Sequence, residues 1–152
     1  MRIVLDSNVL ARAARPFPGP AREVLLRCME EPHVLLLSAF MVSELRRVLR
    51  YERVRKMHGL DDAEIERYVA DVESAALIVA LPATWQEAIV AHDPKDDPIV
   101  HTAVGGAAEF LCTRDRHLHH TEVMEYCRAR GIEVLDDVAL LARLRASEPR
   151  ES

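Results

Sequence analysis

Little in this sequence would staple a protein covalently or fix it to a membrane. Only three cysteines occur, Cys28, Cys112 and Cys127, an odd number with no C-x-x-C pair, which argues against a disulfide framework and a zinc site. They read as buried free thiols in a reducing cytosol. No apolar run approaches the ~18 residues of a membrane span, and the chain starts like a strand instead of with the charged head and apolar core of a signal peptide. A soluble, cytoplasmic protein is expected. Positive charge is also short: Lys and Arg number 20 against 25 Asp and Glu, a net charge of −5, so the overall field does not attract nucleic acid or anionic membrane. Any polyanion must therefore be met by a local basic patch. Repeats, low-complexity tracts and interior linkers are missing, and 152 residues with 49% hydrophobic content fit one globular domain. That domain is expected over 1–146, with a polar, frayed tail over 147–152.

What is present alternates between two patterns. Ile3, Val4 and Leu5 make a short apolar run of the fully buried strand type. A turn rich in Pro and Gly follows at 16–20, then a helix near 20–30 and a second buried strand over 33–37. Ser38 is placed to cap a long helix reaching about Met57, because Met41, Leu45, Val48 and Leu49 recur at helical spacing. Another helix begins near Asp61, and 77–81 reads as a short strand. Pro98 suits the first position of a helix reaching about Ala108, followed by a strand over 110–113. A helix over 122–130 ends at Gly131, a last strand covers 132–135, and Asp136 or Asp137 caps a terminal helix. Buried strands alternating with helices predict a parallel sheet covered on both faces, with ligands beyond the carboxyl ends of its strands.

Asp6 stands at such an end, and Asp115 repeats the arrangement after the strand at 110–113. Glu44 borders the core side of its helix: with Met41 at zero and about 100° per residue, the apolar stripe spans roughly −20° to 80° and Glu44 falls near −60°. Asp97 directly precedes the helix at Pro98, with Asp93 and Asp96 as nearby rivals, and its helical phase matches His101, Val104 and Ala108. Each acid has a plainer reading. Asp97 can be an N-cap, Glu44 a partner for a nearby Arg, and Asp115 a turn residue. Asp6 is hardest to explain away, since a strand-end carboxylate in apolar surroundings is costly unless paired or metal-bound. Converging carboxylates raise one another's pKa, and a divalent cation resolves that conflict. Ligands that are all oxygen suit Mg²⁺ or Mn²⁺, which can activate water in phosphodiester hydrolysis.

LDSNVL with Asp6, SEL with Glu44, DDPIVHTAV with Asp97 and TRD with Asp115 resemble, in order and spacing, the PIN-domain ribonucleases, above all the VapC-like toxins of prokaryotic toxin–antitoxin pairs. The similarity spans roughly residues 1–140. It implies an α/β/α sandwich with a central, mainly parallel sheet, Mg²⁺- or Mn²⁺-dependent endonuclease action on RNA, and an antitoxin partner. A homodimer is expected too. Carried over by position, Asp6, Glu44, Asp97 and Asp115 are the metal-site and catalytic acids, with Ser7, Asn8 and Thr113 as polar supports. His101, four residues after Asp97, departs from the small or apolar residue usual there, and it is positioned to hydrogen-bond that carboxylate.

The local basic patch falls over 44–56, where six Arg or Lys residues face Glu44 and Glu52. Arg46, Arg50 and Arg53 point away from Glu44 and read as a solvated or partner-facing surface, whereas Arg47 is the candidate to touch a phosphate beside the site. His117, His119 and His120 follow Asp115 without a ligand spacing, so zinc is disfavoured. Trp85 reads as core or interface. A haloacid-dehalogenase-type phosphotransferase would need a second Asp where Asn8 stands, and a receiver module would need a late lysine, yet no Lys follows Lys95. A PIN fold that binds RNA or protein with weak or no nuclease activity is the remaining alternative.

Overall fold

Ile3, Val4 and Leu5 are wholly buried, as a strand covered on both faces requires. The computed structural model describes residues 1–81 and 97–149, Asp97 through its backbone alone. In chain order the elements are β1 (Arg2–Leu5), α1 (Ser7–Ala13), α2 (Pro20–Cys28), β2 (Val34–Leu37), α3 (Ala39–Val48), α4 (Glu52–His58) and α5 (Asp62–Ala75). They continue with β3 (Ala76–Ile78), α6 (Asp97–Gly105), β4 (Phe110–Cys112), α7 (Thr121–Arg128), β5 (Glu133–Leu135) and α8 (Asp137–Ala146). The sheet has the order β3-β2-β1-β4-β5, and every pairing is parallel. Helices flank it as expected: α6 packs on β1, β2 and β4, α7 on β5, and α8 against β4 and α2.

Register decides which residues meet at the carboxyl edge. Val4 pairs with both Leu36 and Leu111, and Leu111 with Val134. Beyond the last rungs, the Asp6 amide donates to Cys112 O at 2.9 Å and the Thr113 amide to Leu135 O at 2.9 Å. Asp6 and Thr113 therefore leave neighbouring strands side by side. At the opposite edge Arg2 Nε donates to Gly106 O at 2.9 Å, which puts the end of α6 beside the start of β1. The first turn of α6 must then lie at the carboxyl edge, where the Thr102 hydroxyl joins Pro98 O (2.6 Å) to Ser38 Oγ (2.9 Å).

Two helices differ from the sequence reading. Residues 7–13 form α1, where the sequence reading passed straight from strand to turn; the cause is a cap, since the Asp6 side chain accepts from the Ser7 amide. Val9, Leu10 and Ala13 then face the core. The long helix expected from Ser38 to Met57 is broken into α3 and α4, because Tyr51 is extended and the chain folds back. His58 makes this possible. Its Nδ1 accepts from the Leu60 amide at 2.9 Å, so Nε2 carries the proton and donates to Leu49 O at 2.8 Å, one of the carbonyls released by the break. Ser38 does precede α3, yet its hydroxyl makes no cap bond to the helix backbone and is bonded to Thr102 instead. Asp61 caps α5 in a full capping box with Glu64, and Asp136, not Asp137, caps α8.

Cys28, Cys112 and Cys127 are buried and free, and among the described residues no helix is long and apolar enough to cross a membrane. The tightest backbone approach is at Gly106, where an added Cβ would stand 2.9 Å from Val79 Cγ2, 3.0 Å from Leu36 Cδ1 and 3.1 Å from Thr102 O. We predict that Gly106→Ala lowers stability by about 1–3 kcal/mol through overpacking where α6 meets the sheet. Urea unfolding measures this, and an unchanged midpoint would show that α6 shifts without cost.

Candidate active site at the carboxyl edge

Asp6 ends β1 and caps α1, and these two roles bury its carboxylate; only 3% of the residue is exposed. Its oxygens are supplied with donors from two strand ends. Oδ1 accepts from the Ser7 amide at 2.7 Å and faces Ser7 Oγ at 3.4 Å. Oδ2 accepts from Thr113 Oγ1 at 2.7 Å and Asn8 Nδ2 at 3.2 Å. Thr113 is itself fully held, its hydroxyl oxygen accepting from the Asp115 amide at 3.0 Å and Asn8 Nδ2 at 3.3 Å. Asn8 completes the junction by accepting from the Arg114 amide at 3.1 Å.

Glu44 reaches the same place from α3, with Ser7 Oγ 3.4 Å from Glu44 Oε1. Asp115 arrives from beyond β4, where its Oδ1 accepts from the His117 amide at 2.9 Å and forms a turn. Among the described residues every hydrogen-bond donor to Asp6 is neutral. Burial accordingly pushes the Asp6 carboxyl up from 3.8 to about 6, the hydrogen bonds from Thr113 and Ser7 pull it partly back, and the nearby charges of Glu44 and Asp115 raise it further.

Asp6, Glu44 and Asp115 thus share one rim with Ser7, Asn8 and Thr113 as the bonded frame. Asp97 begins α6, which the helix direction sets at this edge, but its side chain lies outside the described residues. So do Asp93, Asp96 and Trp85, and residues 150–152 of the tail. His101 is half-buried. No three His, Cys, Asp or Glu side chains among the described residues close up into a ready ligand shell. The donor set is nevertheless all oxygen, and a buried carboxylate with two acidic neighbours and neutral donors fits a hard divalent cation. His119 is committed elsewhere, its Nε2 lying 2.7 Å from Thr113 O.

Comparison with known proteins now decides the lineage, since the PIN domain sequence profile matches residues 2–117. The chain belongs to the PIN-domain family. PIN domains are generally nucleases that use divalent metals, and this one is similar in fold to the crystal structure of PAE2754 from Pyrobaculum aerophilum. The two share 19% identity and a TM-score of 0.63, over 97% of this chain and 91% of that chain. No curated protein matches the sequence.

Two features of this PIN domain escaped sequence reading. In the basic patch over 44–56, Arg46 and Arg50 bind Glu66 at 3.1 and 2.7 Å and Arg55 binds Asp62 at 2.5 Å, which ties part of this surface to acids of α5. Arg47 stays exposed on α3. Asp137, read only as a possible cap, is wholly buried and holds Arg114 at 3.1 Å. That pair ties the segment carrying Thr113 and Asp115 to α8. The acid pair just after β5 was the available signal: Asp136 repeats the position of Asp6, directly after a strand and capping the next helix, and Asp137 follows it into α8.

The raised Asp6 pKa has a definite consequence for stability. The folded chain holds this proton more tightly than the unfolded chain, so Asp6 destabilises the metal-free fold above about pH 6 and ceases to do so below about pH 4. At about 1.36 kcal/mol per pH unit, the separation between 3.8 and about 6 makes the change of order 3 kcal/mol. We predict that Asp6→Asn gains up to this amount on the parent between pH 4 and 8. Urea unfolding in EDTA at several pH values checks it, and parallel pH curves for the two proteins would contradict the assignment.

Proposed function

We propose that this PIN-domain protein is an Mg²⁺- or Mn²⁺-dependent endoribonuclease and the toxin of a toxin–antitoxin pair. The observation that carries the reading is the buried Asp6 carboxylate, held among the described residues by neutral donors and facing Glu44 and Asp115. Asp6, Glu44, Asp97 and Asp115 hold the cation, and Ser7, Asn8 and Thr113 fix the Asp6 oxygens. Bound there, a divalent ion supplies Lewis-acid activation of the attacking water and stabilises charge on the phosphate. Thr113 orients Asp6 through a bond that leaves no rotational freedom to its hydroxyl, since the single proton is spent on Oδ2. Arg47 is the candidate to meet a neighbouring phosphate.

In this reading the protein works in the cytoplasm, where buried thiols stay reduced, as a homodimer restrained by an antitoxin protein. Resemblance supports these roles, through the ordered motifs around the four acids. A PIN fold acting only as a binding module is the second reading, and retention of all four acids favours the enzyme.

Labelled single-stranded RNA incubated with purified protein is expected to be cleaved with Mn²⁺ or Mg²⁺ and to stay intact in EDTA. Asp6→Asn, Glu44→Gln, Asp97→Asn and Asp115→Asn should each abolish most cleavage. Thr113→Val, which removes a support and no ligand, should lose about 10–100-fold in activity or metal affinity. Undiminished cleavage in EDTA, or full activity in the four acid variants, would overturn the metal mechanism. Expression should arrest growth in the parent and not in Asp6→Asn.

A further inference from the structure

Beyond the end of α1, Arg12, Arg15 and Arg22 line a cavity of 150 Å³ together with Phe17, Pro18 and Gly19. Among the described residues seven arginines are matched to acids: Arg27, Arg46, Arg50, Arg55, Arg114, Arg143 and Arg145 have carboxylate partners. The cavity arginines differ. Among the described residues Arg12, Arg15 and Arg22 have no carboxylate within ion-pair distance, and the Nε atoms of Arg12 and Arg15 are buried with no hydrogen-bond partner. Arg22 is fixed beside them by donating from Nη1 to Arg15 O at 3.0 Å.

Three guanidinium groups around one hollow repel one another and leave buried donors unmet, which costs free energy unless an anion enters. The hollow also receives the start of α2, where Gly19 supplies no side-chain cap and Pro20 follows, so the positive end of the helix dipole points the same way. Beside it Phe17 is 63% exposed, its ring largely open to solvent in a turn with Pro16 and Pro18 on either side. Guanidinium donors next to an open aromatic face are the pairing that tracks a nucleic-acid strand, phosphate on arginine and base on ring.

We infer that this cavity is a phosphate-binding subsite for single-stranded RNA, seating one backbone phosphate on Arg12, Arg15 and Arg22 and one base on Phe17. The inference rests on the proposed action on RNA and adds a place where the strand is gripped. The distance suits that use: α1 starts at Ser7 in the acidic rim and runs seven residues, roughly 10 Å at about 1.5 Å per residue. A few nucleotides of extended strand are long enough to span that separation. The subsite also answers the charge problem of an acidic protein, because it supplies basic groups that no carboxylate among the described residues neutralises.

Fluorescence anisotropy with a labelled single-stranded RNA in EDTA separates binding from cleavage. Arg12→Gln and Arg15→Gln are each expected to lower the slope of log affinity against log salt by about 0.7, the loss of one phosphate contact. Arg15→Lys should keep the slope, Phe17→Ala should weaken binding at least about fivefold with the slope unchanged, and Arg53→Gln, on the exposed face of α4, should alter neither. Thermal melts close to the parent verify that the variants fold. Slopes unchanged in both arginine variants, an equal fall in Arg53→Gln, or no RNA binding by the parent would overturn the subsite. So would arginine-dependent binding of inorganic phosphate or an acidic peptide without any for RNA. Mn²⁺-dependent cleavage at parental affinity in the arginine variants would overturn the subsite and leave the nuclease reading standing; arginine-dependent binding with no cleavage would do the reverse.

Discussion

The structure depends on keeping a carboxylate buried where β1 becomes α1. Removing a carboxylate from water is expensive unless hydrogen bonds replace the lost hydration, and here the Ser7 amide, the Thr113 hydroxyl and the Asn8 amide do so. Those donors come from the first turn of α1 and from the end of β4. The bonds that solvate Asp6 are thus also the bonds that join the two strand ends, and the frame of the site is part of the frame of the fold.

That economy has an electrostatic side. Because the donors are neutral, they stabilise the Asp6 charge only in part, and Glu44 and Asp115 add repulsion. The rim is left poised to gain from a cation, in the manner of sites where burial and like charge raise a carboxyl pKa. Arg114, whose guanidinium would otherwise be close to Asp115 in sequence, is drawn off to the buried Asp137. Elsewhere α5 gathers Arg46, Arg50 and Arg55 onto Glu66 and Asp62. Basic charge on α3 and α4 is partly taken up by acids of α5, and the arginines around the start of α2 have no carboxylate partner among the described residues.

Much of the fold was legible. Continuous apolar runs marked the strands, since a strand covered on both faces has no polar alternation to obscure it, and Asp61, Pro98 and Gly131 punctuated the helices by local chemistry. The errors have local causes too. A helix of seven residues has too few turns for periodicity to show, so α1 went unread although Asp6 was there to cap it. The division between α3 and α4 was invisible because the apolar spacing continues into Leu49, while the carbonyls at the break are met by side chains from elsewhere in the segment: His58 returns to Leu49 O from nine residues away, Arg50 reaches Arg46 O and Arg55 reaches Arg50 O. The acids at strand ends could be picked out, but the bonds from Thr113 and Asn8 that organise Asp6 could not be read from spacing.

The sequence by itself determined the order of the strands and of the longer helices between them, the acids that follow β1 and β4, and the supply of arginines. Each of these rests on contacts within one turn or one strand, and local steric and hydrophobic preferences suffice for them. The tertiary structure alone decided which carboxylates meet, because Asp6 and Thr113 are 107 residues apart and become neighbours only through the parallel register of β1 and β4. It alone decided which arginines stay unpaired, since an ion pair depends on where a distant helix lays its acids. Charge on a helix face is a local property, whereas its neutralisation belongs to the packing.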